Sequence, residues 1–278
     1  MFRLLTFTVI LFLAVASFSY AQSTPSDTLN AVEFINSGVK KYSDKDFNGA
    51  IADFSKAIEI DNKNYEAYYN RGLCYNNLQN FENALADFSK VVELNPQFND
   101  VYNFRANIYL RLKDFEKAIG DYDKIISANP KDEKSILMRG KLYYALKDYM
   151  MAASDFDMVI ELNPQNADAY NSRGQAYKNM KQDDNAIADY SKAIELKPDM
   201  AIAYFNRAIV YGNTQKNDLA IADYNKVIEL TPNDVDSYVN RGSFRYNAND
   251  TKGACEDWNK AKELGSKDVD ELISKFCK

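Results

Sequence analysis

The chain has 278 residues, of which 46% are hydrophobic and 27% charged, and its formal net charge is −6. This composition is typical of a folded protein and excludes an intrinsically disordered chain. Lys and Arg are interspersed with acids, which argues against nucleic acid as a partner, since phosphate binding depends on clustered cations. The absence of histidine excludes histidine general bases, Ser/His or Cys/His nucleophile pairs and histidine metal ligands.

The first 21 residues combine one basic residue, Arg3, with a long apolar run that ends in small residues at cleavage spacing, Ser19 and Ala21. This pattern is typical of a secretory signal peptide. We therefore predict that residues 1–21 are removed near Ala21, that residues 22–30 form a linker, and that the mature chain is exported, periplasmic or secreted, without a membrane span. An uncleaved membrane anchor is the alternative, because the run approaches the ~20 apolar residues of a spanning helix.

From residue 31 the sequence repeats with a period of 34 residues and without insertion or deletion. The seven repeats are residues 31–64, 65–98, 99–132, 133–166, 167–200, 201–234 and 235–268. Within each repeat, numbered 1 to 34, position 8 is Gly or Ala, position 20 is always Ala and position 24 is always aromatic. Positions 20 and 24 lie on one helical face because they are four apart. Proline at position 32 of five repeats ends the second of two predicted helices.

The repeat of residues 167–200 carries the pattern at positions 4, 8, 11, 20, 24 and 32. The residues there are Tyr170, Gly174, Tyr177, Ala186, Tyr190 and Pro198. This pattern resembles the tetratricopeptide repeat (TPR). The resemblance implies an all-α helical-repeat solenoid, a right-handed superhelix of seven helix-turn-helix units whose first helices line a concave groove. We expect residues 269–278 to form a C-terminal capping helix.

Two charged positions recur in phase with the repeat. Position 23 is Asp in all seven repeats, and position 7 is Arg in every repeat except the first, which has Ser37. Pairing within a repeat would leave Asp53 without an Arg. Pairing with the next repeat would leave only Asp257, and Lys275 occupies position 7 of the continued register. We therefore predict a ladder of ion pairs between repeats, from Asp53–Arg71 to Asp257–Lys275.

The same antiparallel register sets position 21 of a second helix opposite position 9 of the next first helix. This would bring Cys255 next to Cys277, and in an exported protein we predict that they form a disulfide that fastens the capping helix. Two buried free thiols are the alternative. Cys74 is predicted to be a small core residue. Trp258 occupies position 24 and is predicted to pack in the core rather than take part in catalysis.

In TPR geometry, the first helices expose positions 2, 5, 6, 9, 12 and 13 to the groove. Asparagine dominates there, and its amide suits the backbone of an extended peptide because it both donates and accepts hydrogen bonds. The candidate partner-binding residues are Tyr69, Asn70, Asn77, Asn103, Asn107, Arg111, Lys141, Tyr144, Asn171, Gln175, Lys178, Asn179, Phe205, Asn206 and Asn213. For any single Asn, a solvated face with contacts inside the helices is the alternative. Position 5 has no lysine, which argues against the carboxylate clamp of some TPR domains.

These patterns predict a non-catalytic scaffold that binds a peptide or partner protein in its groove. A self-assembling structural component of an envelope complex is the alternative. An enzyme is disfavoured, because the conspicuous acids and thiols fall on packing positions and the chain lacks a Gly-rich phosphate loop, a CxxC pair and a calcium loop. We expect no cofactor and no metal, and the sequence leaves the oligomeric state open.

Overall fold

The computed structural model describes residues 25–278, and over these residues the chain forms fifteen α-helices and no strand. The helices are α1 Pro25–Ser43, α2 Phe47–Ile60, α3 Tyr65–Asn77, α4 Phe81–Leu94, α5 Asp100–Arg111, α6 Phe115–Ala128, α7 Glu133–Ala145, α8 Tyr149–Leu162, α9 Ala167–Asn179, α10 Asp183–Leu196, α11 Ala201–Asn213, α12 Asn217–Leu230, α13 Val235–Asn247, α14 Thr251–Glu263 and α15 Asp270–Phe276. None of these helices is long and apolar enough to cross a membrane. The predicted signal peptide lies outside the described residues.

The described residues divide into two compact units, the first ending at residue 96 and the second covering residues 97–278. In the first, each of the helices α1 to α4 packs against the next, and α1 also touches α3. In the second, the helices α5 to α15 pack in the same consecutive way, and α9 touches both α7 and α11. Packing between sequence neighbours is the arrangement of a helical-repeat solenoid, which confirms the predicted all-α fold class.

The small residue at position 8 sets the distance between the two helices of a repeat. A Cβ added to Gly72 would lie 2.7 Å from the ring of Phe88, and one added to Gly174 would lie 2.8 Å from the ring of Tyr190. The aromatic ring at position 24 therefore rests on the bare backbone at position 8 of its own repeat. The alanines at position 20 are fully buried, so they leave room for this close contact.

The turn between the two helices of each repeat requires a left-handed residue at position 15. These residues have φ between 58° and 65° and are Lys45, Gln79, Lys113, Lys147, Lys181, Gln215 and Asn249. In the fourth repeat, Lys147 N–H donates to the carbonyl of Tyr144 and Asp148 N–H to that of Tyr143, which closes the end of α7. The Asp148 carboxylate then caps α8 by accepting from Met151 N–H. A local turn thus reverses the chain within each repeat.

The predicted ladder between repeats is wrong in its pairing, because each Arg binds the Asp of its own repeat. Arg139 donates from Nε and Nη2 to the two carboxylate oxygens of Asp155, at 2.9 and 2.6 Å. The equivalent pairs are Arg71–Asp87, Arg105–Asp121, Arg173–Asp189, Arg207–Asp223 and Arg241–Asp257. The contact of position 8 with position 24 brings positions 7 and 23 of one repeat together, which the sequence argument did not take into account.

Arg71 and four more of these arginines also bind a residue of the preceding repeat, at its position 25. Their Nη1 groups bind Ser55, Asp123, Asp157, Ser191 and Asn225. The bidentate bond to Asp155 and the bond to Asp123 together raise the pKa of Arg139, so it remains charged. A link between repeats therefore exists, through a position that the sequence argument did not identify.

The two ion pairs predicted at the ends of the ladder also differ from expectation. Asp53, which has no Arg, accepts from Ser37 Oγ at 2.6 Å and from Lys41 Nζ at 2.7 Å. Although burial raises its pKa, the bonds from Lys41 and Ser37 bring that pKa below its ordinary value. Asp257 binds Arg241 and, at 3.0 Å, Arg245. The predicted Asp257–Lys275 pair is wrong.

The C-terminal end of the second unit is held by a disulfide and an aromatic cluster. Cys255 and Cys277 are bonded, with their Cα atoms 5.6 Å apart. Trp258 is 1% exposed and packs against Tyr246 and Phe276, so it is a core residue. In the first unit, burial raises the pKa of the Cys74 thiol to about 12, which keeps it protonated.

Candidate functional site

The candidate site is the first-helix face, which we define as positions 5, 6, 9, 12 and 13 of the first helix of each repeat. Six candidate residues on this face are exposed: Asn77, Asn103, Asn107, Arg111, Lys141 and Asn213. Seven are half-buried: Tyr69, Asn70, Tyr144, Gln175, Lys178, Asn179 and Phe205. Two, Asn171 and Asn206, are buried. Most of the face is thus accessible to a partner within each unit.

Asn171 and Asn206 depart from the expected exposure. They are 7% and 6% exposed, and Asn206 Nδ2 donates to Asn171 Oδ1 at 3.0 Å. This bond joins the first helices α9 and α11. A buried amide is stable only when hydrogen-bonded, so these two residues hold neighbouring repeats together rather than offering free groups to a partner.

Two asparagines on the face bind a tyrosine of the preceding repeat. In the first unit, Asn77 Nδ2 donates to Tyr42 Oη at 3.0 Å, and in the second unit Asn179 Nδ2 donates to Tyr144 Oη at 2.9 Å. Each Nδ2 also donates, at 2.8 Å, to a carbonyl of its own helix, that of Leu73 or Gln175. Only the amide nitrogen can satisfy both acceptors, so the orientation of each amide is fixed. We call each arrangement a Tyr–Asn pair.

Each Tyr–Asn pair keeps one donor and one acceptor without a partner among the described residues. Tyr42 and Tyr144 accept a hydrogen bond but make none through their own O–H, and Oδ1 of Asn77 and Asn179 receives none. Desolvation raises the pKa of Tyr42, so its phenol is protonated and able to donate. A donor beside an acceptor matches the C=O and N–H groups of a peptide backbone.

Aromatic contacts hold the tyrosine of each pair in place. Tyr42 meets the Phe47 ring edge-on at 5.5 Å between centroids, and Tyr144 meets the Tyr149 ring in the same way at 5.4 Å. Such contacts fix ring orientation and stabilise by about 0.5–1.5 kcal/mol. The tyrosine hydroxyl of each pair is therefore held in a fixed position.

The two pairs differ in the charge beside them. In the second unit, Lys141 at position 9 lies three residues before the tyrosine, and Lys178 at position 12 lies directly before the asparagine. The first unit has Val39 and Asn76 at these positions. Neither Lys141 nor Lys178 has a carboxylate within ion-pair distance among the side chains that the structure describes, residues 30–278. The second-unit pair therefore has two cations beside it that no described carboxylate neutralises.

Sequence reasoning selected Asn77, Tyr144 and Asn179 but missed Tyr42 and the bonds that join these residues. The sequence does contain a pattern common to both Tyr–Asn pairs, namely Tyr at position 12 of one repeat and Asn at position 13 of the next. Asn107 Nδ2 binds the carbonyl of Asn103 within α5 at 2.8 Å. No group of three or more Cys, Asp or Glu residues suited to a metal ion occurs in the described part of the chain.

The fold and the accessible first-helix face define a protein built from stacked helix pairs. Family models described as "Tetratricopeptide repeat" match residues 65–98, 100–132, 167–200 and 201–234, and a model described as "TPR repeat" matches residues 40–79 and 140–181. Together these matches span well over half of the chain. The chain belongs to the tetratricopeptide repeat family.

Solved structures of TPR proteins share the fold. One from Parabacteroides merdae is 25% identical, with a TM-score of 0.56, over 89% of this chain and 97% of that protein. The C-terminal part of one from Cytophaga hutchinsonii is 18% identical, with a TM-score of 0.69, over 85% and 98%. YrrB, described as a TPR protein with an unusual peptide-binding site, is 23% identical, with a TM-score of 0.57, over 66% and 95%. No curated protein sequence matches significantly.

Proposed function

We propose that the protein is a non-catalytic interaction scaffold that binds an extended segment of a partner protein along its first-helix face. The observation that carries this proposal is the Tyr–Asn pair, which is present in each unit with a donor and an acceptor available to a peptide backbone. Membership of the TPR family supports it, because TPR proteins bind protein or peptide partners. The peptide-binding site of YrrB, a protein of similar fold, is consistent with it.

We also propose that the scaffold acts outside the cytoplasm. The support comes from the signal-peptide pattern of residues 1–21 and from the disulfide between Cys255 and Cys277. Disulfides persist in oxidising compartments and are rare in the cytosol. Localisation of a tagged full-length chain by cell fractionation tests this part, and a tag found only in the cytoplasmic fraction contradicts it.

Site-directed photocrosslinking tests the binding role. A photoreactive amino acid replaces Asn107, which is exposed on the first helix α5, or Lys124, which is exposed on the second helix α6 as a matched control. We expect Asn107 to crosslink a short segment of one partner protein in envelope extract and Lys124 to give no such product. Equal crosslinking from both positions would contradict the first-helix face as the site. Crosslinks only to other copies of this chain would favour the self-assembling alternative.

A further inference from the structure

We propose that the second-unit Tyr–Asn pair and its two lysines bind an acidic segment in extended conformation. The N–H and C=O of one residue of the segment would bind Asn179 and Tyr144, and the carboxylates of the neighbouring residues would bind Lys141 and Lys178. This inference rests on the proposed function and adds to it the chemistry of the partner.

The groups that would bind a peptide backbone follow from the hydrogen bonds that Asn179 and Tyr144 already make within the protein. Asn179 Nδ2 uses its donors on Tyr144 Oη and on the Gln175 carbonyl, which leaves Oδ1 as an acceptor for a peptide N–H. The Tyr144 hydroxyl, which accepts from Asn179, donates its proton to a peptide carbonyl. Because both groups are fixed by the protein, binding a backbone there requires little further ordering.

The position of the lysines follows from helix periodicity. Lys141 lies three residues before Tyr144 on α7, and Lys178 lies three residues after Gln175 on α9. Residues three or four apart share a helical face, so Lys141 lies on the face of α7 that carries Tyr144, and Lys178 directly precedes Asn179 on α9. Lys141 is exposed and Lys178 is half-buried.

No carboxylate that the structure describes neutralises the charge of the two lysines. On the second helices, Lys192 and Lys226 each bind a glutamate three residues later at 2.6 Å, whereas no such carboxylate serves Lys141 or Lys178 in the described chain. Two unpaired cations on a chain of net charge −6 are complementary to a negatively charged partner.

An extended conformation of the bound segment directs its acidic side chains to one side of the backbone. In an extended chain, residues i and i+2 point to the same side and lie about 6.5–7 Å apart. The residues before and after the bound residue can therefore direct their carboxylates to the lysines while its N–H and C=O remain on Asn179 and Tyr144. The chemistry selected is a carboxylate side chain next to a residue whose backbone N–H and C=O are free.

Fluorescence anisotropy with labelled peptides tests the proposal on the full chain. The probe is a short peptide of alternating Glu and Thr, which favours extended structure, and the matched control replaces each Glu with Gln. We expect the wild-type protein to bind the Glu peptide about tenfold more tightly than the Gln peptide, with an affinity that falls as salt rises. In the K141Q/K178Q double variant this difference should disappear.

Single variants separate the backbone contribution from the charge contribution. Tyr144→Phe should weaken both peptides about fivefold, the effect of one lost hydrogen bond, and Tyr42→Phe in the first unit should leave the Glu–Gln difference unchanged. An ester in place of one peptide amide, which removes an N–H, should weaken binding to the wild-type protein by a similar factor. This ester test does not depend on how any variant folds.

The possible outcomes are distinct for the inference and for the proposed function. Equal affinity for the Glu and Gln peptides, with sensitivity to Tyr144→Phe, would overturn the acidic selectivity and leave the scaffold function intact. No binding of either peptide, while Asn107 still crosslinks a partner, would overturn the whole inference. Glu-peptide binding that survives both K141Q/K178Q and Tyr144→Phe would place the carboxylate site elsewhere and equally overturn it. Tighter binding of a phosphoserine peptide than of the Glu peptide would overturn the choice of a carboxylate.

Discussion

The Tyr42–Asn77 pair of the first unit and the Tyr144–Asn179 pair of the second have the same internal geometry. Their Asn–Tyr bonds are 3.0 and 2.9 Å long, and both asparagines also bind a helix carbonyl at 2.8 Å. Their surroundings differ, since Val39 stands where the second unit has Lys141. The repeat thus reproduces the hydrogen bonds of the Tyr–Asn pair, whereas the residue at position 9 beside it differs: Val39 packs against the core of the first unit, and Lys141 is exposed.

The largest expected effect concerns the ion pair between the two helices of a repeat, which can be compared between the two units. Asp155→Asn in the second unit should lower the free energy of unfolding by about 3 kcal/mol, because it leaves Arg139, whose side chain is 15% exposed, without its bidentate partner. Asp53→Asn in the first unit should cost about 1 kcal/mol, since Lys41 is 39% exposed and water can solvate it. Urea unfolding measures both variants. Losses of equal size would mean that the Arg and Lys versions of the pair are equivalent.

The next effect concerns the disulfide, which only the second unit has. Cys255→Ser combined with Cys277→Ser should lower the free energy of unfolding by about 2–3 kcal/mol, because the bond closes a 22-residue separation. Hydrogen exchange should show faster opening of α14 and α15 and unchanged protection of α1 to α4. As a control, Cys74→Ala leaves the disulfide intact, so α14 and α15 should keep their wild-type exchange rates. Loss of protection across both units would contradict a local role.

A charge swap between the two pairs should have an effect of about 1.4 kcal/mol, or tenfold in affinity. Val39→Lys with Asn76→Lys, made in the K141Q/K178Q background, gives the first-unit pair the cations that the second-unit pair has lost. Anisotropy should then show recovered preference for the Glu peptide over the Gln peptide. Val39→Gln with Asn76→Gln is the uncharged control. If the preference for the Glu peptide does not recover in a variant with unchanged helicity, the two Tyr–Asn pairs are not equivalent.

The smallest effect concerns the left-handed turn residues. Lys147→Gly in the second unit and Gln79→Gly in the first should each raise the free energy of unfolding by about 0.5–1 kcal/mol, because φ values of 64° and 58° strain a residue with a Cβ. Lys147→Ala keeps the strain and should change little. Thermal unfolding compares the three variants. A gain in one unit only would mean that its turn is held by contacts beyond the local backbone.

Much of the fold follows from the sequence because packing positions recur. The 34-residue period, with small residues at positions 8 and 20, an aromatic residue at 24 and proline at 32, predicts pairs of helices, and the structure has α1 to α14 as such pairs. The cysteine pair could be predicted as well, since Cys255 and Cys277 fall opposite each other in an antiparallel register. These features depend on spacing along the chain, which the sequence states directly.

The partner of each polar group, in contrast, depends on contacts between helices that the repeat pattern does not specify. Arg139 has a suitable Asp in two repeats, and the contact of position 8 with position 24 brings Asp155 to it. Asn171 and Asn179 look alike in the sequence, yet one is buried against Asn206 and the other binds Tyr144. A hydrogen bond depends on ångström-scale placement across neighbouring helices, whereas sequence periodicity specifies a helical face and not which atoms meet across it.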